Sequence, residues 1–312
     1  MNLPDQARSF LHRWSHESDR EAILKLNVPC TVDPKMGILF VGGRVLWGSS
    51  DLPERERNPR FLAHLKTPQR RLTSAILLHH FHGDNYCHFF LYVAAKVCVA
   101  DAFGLPADIP FLVPEKTAAT RFFKQAQDLG FFGEREVIVQ GRKEVVAIDE
   151  AYVIRELLGN QGYLASIRDR VGAPEPREPG RRIFVLRGKS AANGRGFRNQ
   201  DEVNELALDF GFDLIDPSEF SLKEQAEIFS QASVIAGAHG AGLTNILFRS
   251  GGSCKVIELF SPQMGGLHYY VMARVLGFDY VSQMTLNPEG REFMATTEVD
   301  IPALRAEFAA LN

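Results

Sequence analysis

Short apolar runs alternate with longer amphipathic stretches in the second half of the chain. The runs show no polar alternation, as expected of parallel strands that are buried on both faces. They cover residues 183–186, 212–215, 233–236, 255–260 and 278–281. Strands and helices that alternate over about a hundred residues are typical of a doubly wound, Rossmann-like parallel sheet.

Helix boundaries in this half carry readable signals. Asn199 and Ser221 are each followed three residues later by a glutamate, which is the spacing of a capping box. Gly211 and Gly277 come just before the next apolar run, where a helix is expected to end.

The first half is less regular but also mixes strands with helices. A hairpin is predicted over residues 37–47, with Gly42 and Gly43 at its turn. The apolar run 89–105 is interrupted by Lys96 and Asp101, so we predict a buried helix rather than a membrane span. Strands are predicted at residues 74–79, 109–113, 137–139 and 145–148, and helices at residues 86–103, 117–129 and 161–171.

The two halves are predicted to be separate α/β domains. Residues 173–180 are rich in proline and charge without any periodicity, which is typical of a linker. This divides the chain into domains at residues 1–172 and 181–312. A length of 312 residues agrees with two domains.

Charge and cysteine content exclude some classes of protein. The formal net charge of −3 predicts no nucleic-acid partner. The four cysteines form no CxxC pair, which favours reduced thiols in a cytoplasmic protein over a disulfide framework or a zinc site. Residues 1–26 have charged and apolar residues at helical spacing and lack the apolar core of a signal peptide.

A glycine-rich turn with a histidine follows the strand at 233–236. Gly237, Gly240 and Gly242 allow a close backbone approach, and the following helix N-terminus presents N–H groups to an anion such as phosphate. His239 lies where ligands usually bind in open α/β sheets. A tight turn whose glycines serve only helix–sheet packing is the alternative.

A cationic loop and a buried acid occur in the same domain. Arg187, Lys189, Arg195 and Arg198 lie in a glycine-containing loop after the first strand, where they could clamp a diphosphate or simply face water. Glu258 lies inside an apolar strand, so its carboxylate needs a partner. A sugar or ribose hydroxyl and a structural hydrogen bond are both open.

Histidines are concentrated between residues 79 and 88 of the first domain. His82, Asp84 and His88 lie where a strand is followed by a helix, next to His79 and His80. No zinc-ligand spacing is present, so general-base work or hydroxyl recognition is expected rather than metal binding.

Several of these segments resemble one known family. Residues 233–248, SVIAGAHGAGLTNILF, residues 256–260, VIELF, and Arg187 with residues 198–203 resemble the signature of glycosyltransferase family 61, as does the motif from Asn85 to Phe89. The resemblance spans residues 74–283. It implies inverting enzymes such as capsular-polysaccharide, O-linked N-acetylglucosamine and plant xylosyl or arabinosyl transferases. It also implies a GT-B fold, two Rossmann-like domains facing a cleft.

The resemblance also implies roles for individual residues. It assigns Glu258 to the sugar of the nucleotide. Family members commonly have an acid three or four residues after the motif histidine, where this chain has Leu91 and Tyr92. The base is therefore assigned to Asp84, with His88 and His82 as the other candidates. The residues assigned to the donor phosphates are Arg187, Arg198, Asn199, His239, Gly240 and Gly242.

The expected activity is a metal-independent transfer in surface polysaccharide synthesis, without a cofactor. A sugar moves from a nucleotide diphosphate sugar, first of all a UDP-sugar, to a hydroxyl of a glycan or lipid-linked acceptor. A cytoplasmic protein with peripheral membrane association fits this role. An inactive nucleotide- or glycan-binding module is the alternative. A Rossmann oxidoreductase is disfavoured because no GxGxxG opens the first strand–helix unit.

Overall fold

The computed structural model describes most of the chain as two compact units. They comprise residues 19–157 and residues 158–312. The described residues are 22–50, 67–155, 161–177, 180–187, 196–250, 253–264, 266–290 and 295–311. The expectations for residues 1–21 and for Lys189 and Arg195 lie outside this part.

The first unit is built on one mixed sheet. Its strands run in the order β4-β3-β2-β8-β5-β6-β7, and β1 pairs with β8. The pairs among β8, β5, β6 and β7 are parallel, and the pairs involving β1 to β4 are antiparallel. The strands are β1 (Ala22–Leu26), β2 (Cys30–Val32), β3 (Leu39–Val41), β4 (Arg44–Leu46), β5 (Arg70–Leu77), β6 (Phe111–Pro114), β7 (Val137–Gln140) and β8 (Val146–Arg155).

This sheet departs from a wholly parallel Rossmann-like sheet, because short loops connect its first strands. The predicted hairpin is confirmed as β3 and β4, joined through Gly42 and Gly43 at φ +54° and +77°. Two successive positive φ values are the signature of the tight turn that joins antiparallel strands, and glycine adopts them without steric cost.

A buried helix follows β5 in the first unit. We label it α1; it begins as Tyr86–His88, continues as a π-helical stretch Phe89–Ala94 and ends as Ala95–Ala102. The prediction of a buried helix over the long apolar run is confirmed. Two shorter helices follow, α2 (Glu115–Ala118) and α3 (Arg121–Asp128). Within the described residues, no helix combines the length and apolar character needed to cross a bilayer.

The second unit contains a five-stranded sheet whose strand pairs are all parallel. The order β10-β9-β11-β12-β13 is a doubly wound order of the 2-1-3-4-5 type, so the predicted parallel sheet is confirmed. The strands are β9 (Arg181–Val185), β10 (Phe212–Ile215), β11 (Ala232–Ala238), β12 (Lys255–Phe260) and β13 (Asp279–Met284), with an antiparallel pair β14 (Leu286–Glu289) and β15 (Thr296–Glu298).

The helices of the second unit begin and end largely as the sequence predicts. Ser221 and Glu224 form a complete capping box, and Gly211 and Gly277 have φ values of +73° and +75° after their helices. Asn199 precedes a helix but makes no side-chain capping bond. The helices are α4 (Gln161–Val171), α5 (Gln200–Asp209), α6 (Leu222–Ser230), α7 (His268–Val275) and α8 (Ile301–Ala309), with 3₁₀ helices at Pro217–Glu219 and Ala241–Phe248.

Helix α4 belongs to the second unit, although the sequence predicts a domain boundary after it. The helix packs against α6 and the 3₁₀ helix Ala241–Phe248. The predicted linker is itself held to this unit, because Gln231 accepts a hydrogen bond from the Arg177 amide at 2.8 Å and donates one to the Glu175 carbonyl at 3.1 Å.

We expect Gly211→Ala to lower the free energy of unfolding by about 1–2 kcal/mol, because a Cβ is disfavoured at a positive φ even in open space. Urea denaturation measures the change. Gly48→Ala is the matched control, since its Cβ also meets nothing within 4 Å and its φ lies outside the positive region. Equal unfolding midpoints for both variants would contradict the prediction.

Candidate functional site

The carboxyl edge of the five-stranded sheet brings two predicted site residues together. Strand β9 lies between β10 and β11, so the chain leaves β9 in one direction and returns on its other side. Ligands of open α/β sheets bind at such a switch point. Arg187 follows β9 there, and His239 follows β11.

Arg187 and His239 are in direct contact. The Arg187 guanidinium donates a hydrogen bond from Nη2 to the His239 carbonyl oxygen at 2.8 Å. A Cβ on Gly240 would lie 2.6 Å from the same Nη2. Gly240 therefore leaves the space that the guanidinium occupies.

The neighbouring glycines serve close packing inside the protein. A Cβ on Gly237 would lie 2.9 Å from the Val185 carbonyl oxygen, and one on Gly242 would lie 2.8 Å from Val185 Cγ1. The sequence left phosphate binding and helix–sheet packing open as roles for these glycines, and packing accounts for Gly237 and Gly242. Gly240 precedes the 3₁₀ helix Ala241–Phe248, whose first N–H groups lack partners within the helix.

The His239 side chain is hydrogen-bonded to a buried acid, Glu258. Its Nδ1 hydrogen-bonds to Oε1 of Glu258, and Oε2 of Glu258 accepts a hydrogen bond from the Tyr280 hydroxyl at 2.5 Å. Glu258 has no exposed surface. The sequence left open whether Glu258 binds a sugar or ribose hydroxyl or makes a structural hydrogen bond. The structure shows the second, because both carboxylate oxygens are hydrogen-bonded within the protein.

A pocket lies in front of His239 and Arg187. It is partly open to solvent and combines apolar with polar lining residues. Ser261 directly follows β12, so the same strand-end argument would have found it. The pocket's other lining residues are Gly196, Phe197, Gln200, Ala238, Leu259, Met264, Ala295 and Thr297.

Phe197 and Thr297 carry no sequence signal for this site. They form an isolated parallel bridge, in which the Thr297 amide donates to the Gly196 carbonyl at 3.0 Å. Only the tertiary structure joins these segments, because about a hundred residues separate them in the chain.

Two residues that the sequence assigned to the donor site are engaged elsewhere. Arg198 donates to the Asn287 carbonyl at 2.8 Å and lies 3.4 Å and 3.5 Å from the carboxylates of Glu289 and Glu298. It is thus bound to the β14–β15 pair, because its own segment runs alongside β15.

Asn199 holds the chain just before α8. Its Nδ2 donates to the Val299 carbonyl at 2.8 Å, and its Oδ1 accepts from the Val299 amide at 3.0 Å. Both polar groups of the side chain are therefore used in fixing backbone. The structure gives Asn199 a structural role and leaves it outside the pocket lining.

The histidines of the first unit form a second cluster. The His88 ring lies 5.1 Å from the His80 ring and 5.2 Å from the His82 ring, measured between centroids. Asn85 caps α1 by accepting hydrogen bonds from the amides of Cys87 and His88, which places the histidine at the helix start. Among the described residues, no group of three His, Cys, Asp or Glu side chains could hold a metal ion.

The protonation of two of these histidines follows from their burial. Burial lowers the pKa of His79 to about 3, with Lys96 adding to the effect and the Gln140 hydrogen bond opposing it. Burial also lowers the pKa of His88 to about 4, with His82 adding and Asp84 opposing. Both imidazoles are therefore neutral at pH 7.

Asp84 lies beside His88 and is partly exposed. Its carboxylate is 2.8 Å from the Lys116 ammonium, and about a third of its side chain (32%) is accessible. The desolvation on which its role as a base depended is therefore incomplete. The two positions that lack an acid also have packing roles, since Leu91 is buried and Tyr92 stacks on His80 at 4.6 Å.

Comparisons with known proteins give matches that cover both the histidine cluster and the site at His239. The family model described as Glycosyltransferase 61 matches residues 78–257, which is more than half of the chain. The xylan glycosyltransferase MUCI21 of Arabidopsis thaliana is 29% identical over 142 residues, which cover 43% of this chain and 27% of the relative. The chain thus spans about a quarter of the length of the relative it matches.

We expect Asn199→Ala to lower the free energy of unfolding by about 1–3 kcal/mol, because it leaves buried backbone groups of Val299 without partners. Urea denaturation measures the loss. Asn204→Ala is the matched control, since it removes only a side-chain hydrogen bond with Gln200 on α5. A parental unfolding midpoint in Asn199→Ala would contradict the structural role.

Proposed function

This chain belongs to the glycosyltransferase 61 family, and we propose that it is an inverting glycosyltransferase of polysaccharide synthesis. It would take the sugar from a nucleotide diphosphate sugar, UDP-sugars being the first candidates, and pass it to a hydroxyl of a glycan or lipid-linked acceptor. A cytoplasmic location with peripheral membrane association, and a GT-B arrangement of the two domains around a cleft, are parts of the same proposal.

The observation that carries the proposal is the contact of Arg187 with His239 at the switch point of the parallel sheet. A departing diphosphate carries negative charge, and a guanidinium, an imidazole and helix-end N–H groups are the groups that stabilise it. The pocket beside these two residues combines apolar with polar lining, as small-molecule sites do.

The reaction needs two contributions from the protein. An acceptor hydroxyl attacks the anomeric carbon opposite the diphosphate, which inverts that centre, while a base takes the hydroxyl proton. Arg187 and His239 would meet the charge of the leaving diphosphate. Asp84, His88 and His82 are the candidates for the base.

A second candidate function is a module that binds nucleotides or glycans without catalysis. It is favoured by Leu91 and Tyr92, which stand where relatives carry an acid and which pack within the first unit. Hydrolysis of the donor by the purified protein distinguishes the two, because an inactive module binds the donor and leaves it intact.

Arg187→Ala and His239→Ala are each expected to weaken binding of a nucleoside diphosphate by roughly tenfold or more, since a charge-assisted contact contributes about 1.5–3 kcal/mol. A thermal-shift screen over UDP, GDP and CMP selects the ligand, and calorimetry then measures its affinity. Arg198→Ala is the control, because this arginine is bound to the β14–β15 pair. Unchanged affinity in both site variants would refute the assignment.

Transfer is expected to persist in EDTA, because cationic side chains and N–H groups supply the positive charge that a metal ion would otherwise provide. Initial rates are compared between EDTA-treated enzyme and the same preparation dialysed without chelator. Loss of transfer in EDTA with recovery in manganese or magnesium would disprove metal independence and make His82 and Asp84 candidate ligands.

Asp84→Asn is expected to lower transfer by about 10²–10⁴-fold while donor affinity stays nearly parental, as for loss of a general base. Lys116→Met is the matched control, since it removes the ion-pair partner and keeps the carboxylate. Near-parental transfer in Asp84→Asn with a large loss in His88→Ala would assign the role to His88. A rate that depends on neutral His88 would then fall only as the pH drops towards its pKa of about 4.

A further inference from the structure

Three polar side chains from neighbouring strands share one face of the five-stranded sheet. Glu258 on β12 is in register with Gly237 on β11 and with Ser282 on β13. His239 lies two residues after Gly237, and Tyr280 lies two residues before Ser282. Because side chains alternate along a strand, all three polar groups point to the same side.

The carboxylate of Glu258 connects the other two. It is fully buried, with one oxygen bonded to His239 Nδ1 and the other accepting from the Tyr280 hydroxyl at 2.5 Å. Burial and the adjacent carboxylate raise the pKa of Tyr280 far above its ordinary value, so the hydroxyl remains protonated and donates. An ionised Glu258 accepts from both sides, which requires a proton on Nδ1 of His239.

This arrangement determines which ring nitrogen of His239 is available to a molecule bound in the pocket. Nδ1 is engaged by Glu258, so Nε2 is the nitrogen left for a bound molecule. The neutral ring accepts a hydrogen bond there, whereas the doubly protonated ring donates one from Nε2 to a diphosphate oxygen while Glu258 holds Nδ1–H. The ring is confined on two sides by Phe260 and Tyr269, whose centroids lie 5.0 Å and 5.1 Å away in edge-to-face contacts. The ring can therefore keep one orientation as long as Glu258 keeps its own.

We propose that Tyr280 is a positioning residue for His239. Its hydroxyl anchors Glu258, and Glu258 in turn holds the imidazole with Nδ1 protonated and Nε2 turned to the pocket. Without the hydroxyl, one buried oxygen of Glu258 lacks its donor and the carboxylate can rotate away from Nδ1. The consequence for nucleotide binding rests on the proposed function, whereas the effect on the His239 ring does not.

The experiment compares Tyr280→Phe with Tyr270→Phe in the full chain. Tyr270 packs edge-to-face on Tyr280 at 5.2 Å, so its substitution removes a nearby hydroxyl with the same change of side chain. Long-range ¹H–¹⁵N NMR of ¹⁵N-histidine protein, at a pH high enough for the neutral ring, reads the tautomer of His239, assigned with His239→Gln. Calorimetry with UDP reads affinity.

The expected result is one Nδ1-protonated tautomer in the parent and in Tyr270→Phe. In Tyr280→Phe we expect a second, Nε2-protonated form of the neutral ring. We also expect UDP affinity about three- to tenfold weaker, because a displaced Glu258 no longer stabilises the doubly protonated ring that donates to a diphosphate. An unchanged tautomer in Tyr280→Phe, or the same change in Tyr270→Phe, would overturn the proposal.

If Tyr280→Phe does not fold, the parental protein still tests the proposal, because a His239 ring protonated only at Nε2 in the parent would contradict it. If the parent binds no nucleotide while the tautomer responds to Tyr280→Phe, the positioning role stands and the proposed function fails.

Discussion

The Glu258 carboxylate has no exposed surface, and the geometry of the second unit's site depends on how it is partnered. A buried carboxylate is tolerated only when its oxygens receive hydrogen bonds from well-placed donors. Here Tyr280 on the neighbouring strand donates to one oxygen, and His239 at the end of the strand on the other side is hydrogen-bonded to the second. The interaction that makes the acid compatible with the sheet therefore also fixes the imidazole at the edge of the pocket.

The glycines around His239 allow this edge to form. Side chains at Gly237 and Gly242 would collide with Val185 on the neighbouring strand, and one at Gly240 would collide with the Arg187 guanidinium. The absence of Cβ atoms lets β9 and β11 bring their carboxyl ends together. The glycine pattern resembles a phosphate-binding loop, but Gly237 and Gly242 are required by packing against Val185. Gly240 leaves space for the Arg187 guanidinium.

The first unit shows how packing limits what a motif can reveal. Asn85 and His88 match the family motif, and the structure explains their spacing, because Asn85 caps the helix that begins at Tyr86 and accepts a hydrogen bond from the His88 amide. The sequence favoured Asp84 as the base on the assumption of burial. Its ion pair with Lys116 and its exposure depend on α2, whose position no local pattern gives.

Local pattern by itself determined the parallel sheet of the second unit, the hairpin at Gly42 and Gly43, the buried helix and the roles of Ser221, Gly211 and Gly277. These features follow from periodicity, capping and backbone conformation, which act over a few residues. Only the tertiary structure decided three other features. It placed Arg198 and Asn199 away from the pocket and brought Phe197 and Thr297 into the pocket lining. It also linked Tyr280 through Glu258 to His239. Each joins segments that are distant along the chain, and strand order and register, rather than local sequence, set which of them meet.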